Sequence, residues 1–253
     1  MARSNLSNRE IRQARRNKRV ERLETQEVRK FKEKFADERE SKIMSIQPKT
    51  DNQAAFLNVL KNNQISIGQG SSGSGKSYLA ATHAVNCYLK DPSLTIYLAR
   101  AYVPMGRSVG LLPGEITMKL SPFLAPLMNP MRKQLGPKFD ADFGTRIQIQ
   151  MTEALRGLDL KDAILVCDEA QNLTRDEIKS IVTRLNESNS QIILIGDSKQ
   201  SDLKKGESGL EWLIDMVKKY DVKGVDFVEF GPEDIVRGGI VKQFVKIFDA
   251  EGV

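Results

Sequence analysis

Residues 70–77 read Gly-Ser-Ser-Gly-Ser-Gly-Lys-Ser, glycines, hydroxyls and one lysine crowded into a single stretch. Glycine tolerates the left-handed torsions that turn successive backbone N–H groups toward one point, and a helix starting there adds the positive end of its dipole. Such a point attracts a phosphate chain. A Gly-rich structural turn has a similar composition, but a chance match to the whole pattern in a chain of this length is on the order of 1%. The flanks also fit, with β-branched Ile65 and Ile67 before the loop and the helical spacing of Tyr78 to Val85 after it. The expected ATP-binding residues are therefore Gly70, Ser71, Ser72, Gly73, Ser74, Gly75, Lys76, Ser77 and Tyr78. Lys76 would reach the β and γ phosphates, and Ser77 would coordinate Mg²⁺.

Two further segments have the chemistry such a loop requires. The run Ala163-Ile164-Leu165-Val166-Cys167-Asp168-Glu169 is an apolar strand ending in two carboxylates. Asp168 is placed to hold Mg²⁺ through water and Glu169 to polarise an attacking water. The run Gln191 to Ile195 is a second buried strand, followed by Gly196-Asp197-Ser198-Lys199-Gln200. Parallel sheets collect their chemistry at the carboxyl ends of strands, so Gln200 is expected to sense the γ-phosphate and orient water. Asp197 either approaches the same phosphate or stabilises a turn.

The elements that would position these residues alternate along the chain as apolar runs and helical patterns, which predicts a parallel sheet wrapped by helices. Strands are expected at 65–68, 94–99, 146–151, 163–167, 191–195 and 227–230. Residues 104–144 hold Pro104, Pro113, Pro122, Pro126, Pro130 and Pro137 with several glycines, and read as an insertion of loops and short helices. Residues 9–43 lack Gly and Pro and are rich in Arg, Lys, Glu and Gln, which suits a long helix with a small apolar face at Phe31 and Phe35.

Charge is distributed unevenly. Residues 1–22 carry eight basic side chains against Glu10 and Glu21, which accounts for the entire net charge of +6. A basic arm (1–45) on a neutral domain (46–253) suits a polyanionic partner, although a solvated extension would look the same. Cys87 and Cys167 are the only cysteines and His83 the only histidine, so neither a disulfide framework nor a metal cluster is expected. With no long apolar run and no apolar core at its start, the chain is expected to be cytoplasmic, away from membranes.

Asp168-Glu169-Ala170-Gln171 and Gly196-Asp197-Ser198-Lys199-Gln200 resemble motifs II and III of superfamily 1 helicases. The whole set, over roughly residues 45–250, is similar to the PhoH family of ATPases. Further matching segments are Asn52-Gln53, Leu98-Ala99-Arg100 with Gly110 to Glu115, Arg156-Gly157, and Phe227 to Phe230 through Glu233 to Arg237. The family pattern differs after Arg100, where Ala101 replaces proline, at Arg107, and at Arg237-Gly238-Gly239, which stands for Arg-His-Pro. The resemblance implies a RecA-like P-loop NTPase with a mostly parallel sheet flanked by helices, to which the basic helical arm is added. It also implies an adenine-reading role for Gln53, a contact to a nucleic-acid strand for Arg100, and a homo-oligomer, a hexameric ring. Arg237 matches the arginine of helicase motif IV and would serve as a γ-phosphate arginine in cis or from a neighbour, or else form a surface salt bridge. The Arg100 region could equally build a subunit interface.

The function expected is Mg²⁺-dependent ATP hydrolysis, with Lys76, Glu169, Gln200 and Arg237 as the catalytic set and Ser77 and Asp168 as the metal ligands. It would be coupled to single-stranded RNA or DNA. A nucleotide-gated scaffold whose arm recruits a partner is the alternative. A kinase is disfavoured, because the residues around Glu169 and Gln200 would admit activated water.

Overall fold

The structure, a computed structural model, describes residues 42–101, 120–186 and 189–236, together with 238–240, 243, 244 and 247. The basic arm up to residue 41, Tyr102, Arg107, the Gly110 to Glu115 segment and Arg237 lie outside the described residues.

The strands β1 (Ile65–Gly70), β2 (Thr95–Arg100), β3 (Ile147–Gln150), β4 (Ala163–Asp168), β5 (Gln191–Gly196) and β6 (Val225–Phe230) form one sheet in the order β3-β2-β4-β5-β1-β6. Every pairing in it is parallel. Composition follows position in the sheet. Central β4 and β5 are covered on both faces, so they read as near-continuous apolar runs, Ala-Ile-Leu-Val-Cys and Ile-Ile-Leu-Ile. The edge strands are more polar: β3 alternates as Ile-Gln-Ile-Gln with its isoleucines buried, and β6 buries Val228 and Phe230 while Glu229 between them faces water.

The helices are α1 (Asp51–Asn62), α2 (Lys76–Lys90), α3 (Ala125–Leu135), α4 (Pro137–Asp142), α5 (Arg175–Val182) and α6 (Gly209–Tyr220). Alternate residues of each central strand point to opposite faces, and the core divides accordingly. Ile164, Val166, Ile193 and Ile195 pack with Phe56 and Leu60 of α1, Leu79 and Val85 of α2, and Leu127 and Met131 of α3. Leu165, Cys167, Ile192 and Leu194 pack with Ile178 and Ile181 of α5 and Leu210 and Ile214 of α6. Gly68 lets α1 approach closely, because a Cβ there would stand 2.9 Å from Phe56.

All six expected strands are present within a few residues of their expected limits. The described part of the Pro-rich segment contains helices α3 and α4, as expected of it, and they reach the core. Leu127, Met128, Met131, Leu135 and Phe139 of α3 and α4 are buried in the core, so this part completes the layer over α2. Pro126 occupies the first turn of α3, where a missing N–H costs little.

Candidate active site

The loop after β1 is shaped by contacts to strands and helices far away in sequence. Gly70 has φ 113°, and a Cβ there would lie 2.0 Å from the Phe230 carbonyl oxygen, which also accepts a hydrogen bond from Ser71 N at 3.0 Å. Only glycine fits at that crossing. Gly75, at φ 91°, opens α2, while Ser74 Oγ donates to Ser71 O across the loop at 2.9 Å. Lys76 folds into this frame and donates to Gly70 O at 2.5 Å and Ser71 O at 2.9 Å. Burial lowers its pKa, opposed by the charges of Asp197, Asp168, Glu169 and Asp234. The loop thus holds its cation ready on the backbone carbonyls.

Two neighbouring segments brace the loop. Gln53, near the start of α1, donates from Nε2 to Ser74 O at 2.8 Å and accepts from Lys49 N at 2.8 Å. It is 4% exposed, and its amide braces the phosphate loop from beneath. On the other side, Val236 N donates to Gly73 O at 3.2 Å, and Asp234 accepts from Asn52 Nδ2 at 2.8 Å and from Gly231 N at 2.9 Å.

The carboxylates stand at the end of β4. Register places Asp168 directly beside Arg100 of β2. Burial raises the Asp168 pKa, and the charge of Glu169 adds to this, against the pull of Arg100 and Lys76. Glu169 adopts φ 53°, ψ 35°, a left-handed conformation uncommon for a residue with a long side chain. Its side chain is fixed at both oxygens: Oε1 accepts from Arg100 Nη2 at 2.8 Å, and Oε2 accepts from Gln171 Nε2 at 2.6 Å. Gln171 Oε1 in turn accepts from Asp197 N at 3.0 Å, which links the end of β4 to the end of β5. Asp197 caps the following turn by accepting from Lys199 N at 3.2 Å and also lines the cleft.

A cleft of about 420 Å³ brings together Lys76, Ser77, Arg100, Asp168, Glu169 and Gln200, with Ser72, Gly73, Gly75 and Tyr78 along its loop side. Gly70, Ser71, Ser74 and Gln53 support it from outside the lining. Within the cleft the Arg100 guanidinium is engaged by Glu169, by Phe123 O at 2.7 Å and, more loosely, by Asp168 at 3.7 Å. The bracing residues Gln171, Asn52, Asp234 and Val236 had no assigned role in the sequence; only their place inside matching motifs marked them. For Mg²⁺, Ser77 and Asp168 offer the hard oxygen donors the ion prefers, and they are few enough to leave room for phosphate oxygens and water. Among the described residues no group of three or more His, Cys, Asp or Glu forms a separate metal cage. No helix among them is long and apolar enough to cross a membrane.

This arrangement is that of the P-loop NTPase fold. The large terminase of a thermophilic bacteriophage, in complex with ADP, superposes with a TM-score of 0.52 at 14% identity, over 79% of this chain and 50% of that one. The family model for PhoH-like proteins matches residues 45–249, and the chain belongs to this family. It is 35% identical to the PhoH-like protein of Bacillus subtilis over 84% of this chain and 67% of that protein. Against the PhoH-like protein of Mycobacterium leprae it is 33% identical over 81% of this chain and 58% of that protein. Against Protein PhoH of Escherichia coli K12 the identity is 29%, over 76% and 54%. The chain thus spans little more than half the length of the last two.

Proposed function

We propose that the protein binds Mg·ATP and hydrolyses it by in-line attack of water, coupled to binding or remodelling of single-stranded RNA or DNA. One observation carries this reading: Lys76, Ser77, Asp168, Glu169 and Gln200, from three separate strand ends, converge on one cleft. Loop N–H groups and Lys76 bind the β and γ phosphates. Ser77 and Asp168 hold Mg²⁺, which would neutralise charge on the phosphate oxygens. Glu169 accepts a proton from the attacking water, and Gln200 orients that water. Arg237 supplies γ-phosphate charge compensation in a homo-hexameric ring, and Tyr78, 44% exposed beside the loop, borders the nucleotide. Residues 46–253 form the ATPase domain, and the arm of residues 1–45 adds affinity for the polyanion.

Steady-state ATP turnover of the full chain, alone and with saturating single-stranded RNA or DNA, tests this. Turnover should be measurable and should rise with one polymer; Glu169→Gln should keep nucleotide binding and lose about 10²–10⁴ in rate. Turnover that is indifferent to both polymers at low and moderate salt would remove the coupling.

The second reading, a nucleotide-gated scaffold, draws on the engagement of both Glu169 oxygens, which suits a protein that holds ATP unhydrolysed. Mass measurement of Glu169→Gln with and without ATP separates the two, since a scaffold assembles and recruits its partner without turnover.

A further inference from the structure

Arg100 ends β2 at the mouth of the cleft, and its side chain is 23% exposed. Its planar fork is used piecemeal, Nη2 on Glu169 Oε1 at 2.8 Å and Nη1 on the Phe123 carbonyl at 2.7 Å. Gln171 occupies the other oxygen of Glu169. A carboxylate that is to take a proton from water needs an open lone pair and its own negative charge. Here the Arg100 cation offsets that charge and takes one acceptor site of Oε1, which weakens the carboxylate as a base, while Gln171 orients it from the other side. The arrangement is also connected outward, because Phe123 belongs to the segment leading into α3 and Pro126 lines the same cleft.

We propose that Arg100 is a positioning residue that holds Glu169 idle, and that a phosphate of single-stranded nucleic acid draws the guanidinium away and frees the carboxylate for water. The inference rests on the reading above that Glu169 polarises the attacking water. A guanidinium favours partners that take two of its nitrogens at once, as paired phosphate oxygens do, whereas Glu169 engages only one. The γ-phosphate of bound ATP offers the same chemistry from inside the cleft. That alternative makes Arg100 a catalytic group, with the opposite outcome in the test.

The experiment measures ATP turnover of wild type and Arg100→Gln in the full chain, each without polymer and with saturating poly(U) or oligo(dT). Nucleotide affinity, polymer binding by fluorescence anisotropy and the thermal midpoint are recorded alongside. Loss of a charge-assisted hydrogen bond corresponds to about tenfold or more, so polymer-free kcat of the variant should rise by about that factor with KM little changed. Stimulation by polymer should fall toward unity. Arg100→Lys keeps the charge without the fork and should show an intermediate rise, which also covers a Gln variant that does not fold. A polymer-free kcat below wild type, or an unchanged kcat with stimulation intact, overturns the proposal. Wild type that turns over with polymer while Arg100→Gln shows no rise defeats the restraint alone. Failure of both chains to hydrolyse ATP that they bind defeats the hydrolytic reading as well. A raised variant rate in a protein deaf to polymer keeps the restraint and overturns nucleic acid as its trigger.

Discussion

Gln171 holds Glu169 through a 2.6 Å hydrogen bond from Nε2 to Oε2, and the same amide accepts from the backbone of Asp197. Gln171 is 1% exposed, so neither bond is readily replaced by solvent. Gly196 makes the approach possible, since a Cβ at that position would lie 2.3 Å from Gln171 Oε1.

Replacing Gln171 with Ala should therefore lower kcat by about tenfold with KM little changed, and should cost about 1–3 kcal/mol of stability because Asp197 N is left buried and unpaired. Gly196→Ala should reproduce the loss of rate by displacing the amide. Separate kcat and KM values with urea midpoints check both; a pure KM effect would refute the linkage.

Gln53 is tied to Ser74 O and Lys49 N, so its removal should loosen the phosphate loop itself. Gln53→Ala should weaken ATP and GTP binding by the same factor. A variant that loses affinity for ATP alone would give Gln53 the adenine-reading role. Titration with fluorescent analogues of both nucleotides decides it.

Lys76→Met should show its effect only in the presence of ligand. Burial already lowers the Lys76 pKa, so its charge is held at a cost and its loss should leave the nucleotide-free stability near wild type. Wild type should gain about 2.7 kcal/mol at a nucleotide concentration of 100 times Kd, and the variant little at the same concentration. Thermal or urea unfolding with and without Mg·ATP measures the difference.

Away from the cleft, Asp142 accepts from the Tyr88 hydroxyl and pairs with Lys138 at 3.0 Å. Burial pushes the Asp142 pKa up, but those hydrogen bonds and the charges of Lys138 and Arg146 outweigh it, leaving it below its ordinary 3.8. The folded chain therefore binds this proton less tightly than the unfolded chain does. The stabilisation is fully present above the ordinary carboxylate value and fades as pH falls through the depressed one. Asp142→Asn should cost about 1 kcal/mol at neutral pH, a gap that closes in acid, as urea unfolding across that range would show.

Much of this was legible because central strands of a parallel sheet must be apolar on both faces, which makes β4 and β5 plain and marks Asp168 and Gly196 as their ends. Edge strands are harder. The first two residues of β6 escaped notice because Asp226 faces water there, and only pairing with Ser66 makes it strand. Pro126 and Pro130 hid the limits of α3 within a segment read as loops and short helices, although one lies in a tolerant first turn and the buried methionines anchor the rest. The residue types of the cleft were readable from motif spacing. Their partners were not: that Arg100 grips Glu169, or that Gln53 lies under Ser74, depends on contacts between segments distant in sequence, which local pattern does not encode.

The phosphate loop is anchored by residues made long after it. Ser71 is held by Phe230, Gly73 by Val236 and the start of α1 by Asp234. During synthesis the glycines around residue 70 leave the ribosome well before any of these anchors exist. The nascent chain carries the phosphate-binding sequence through most of its translation without its finished shape, and competence for nucleotide arrives late, when the last strand docks beside the first.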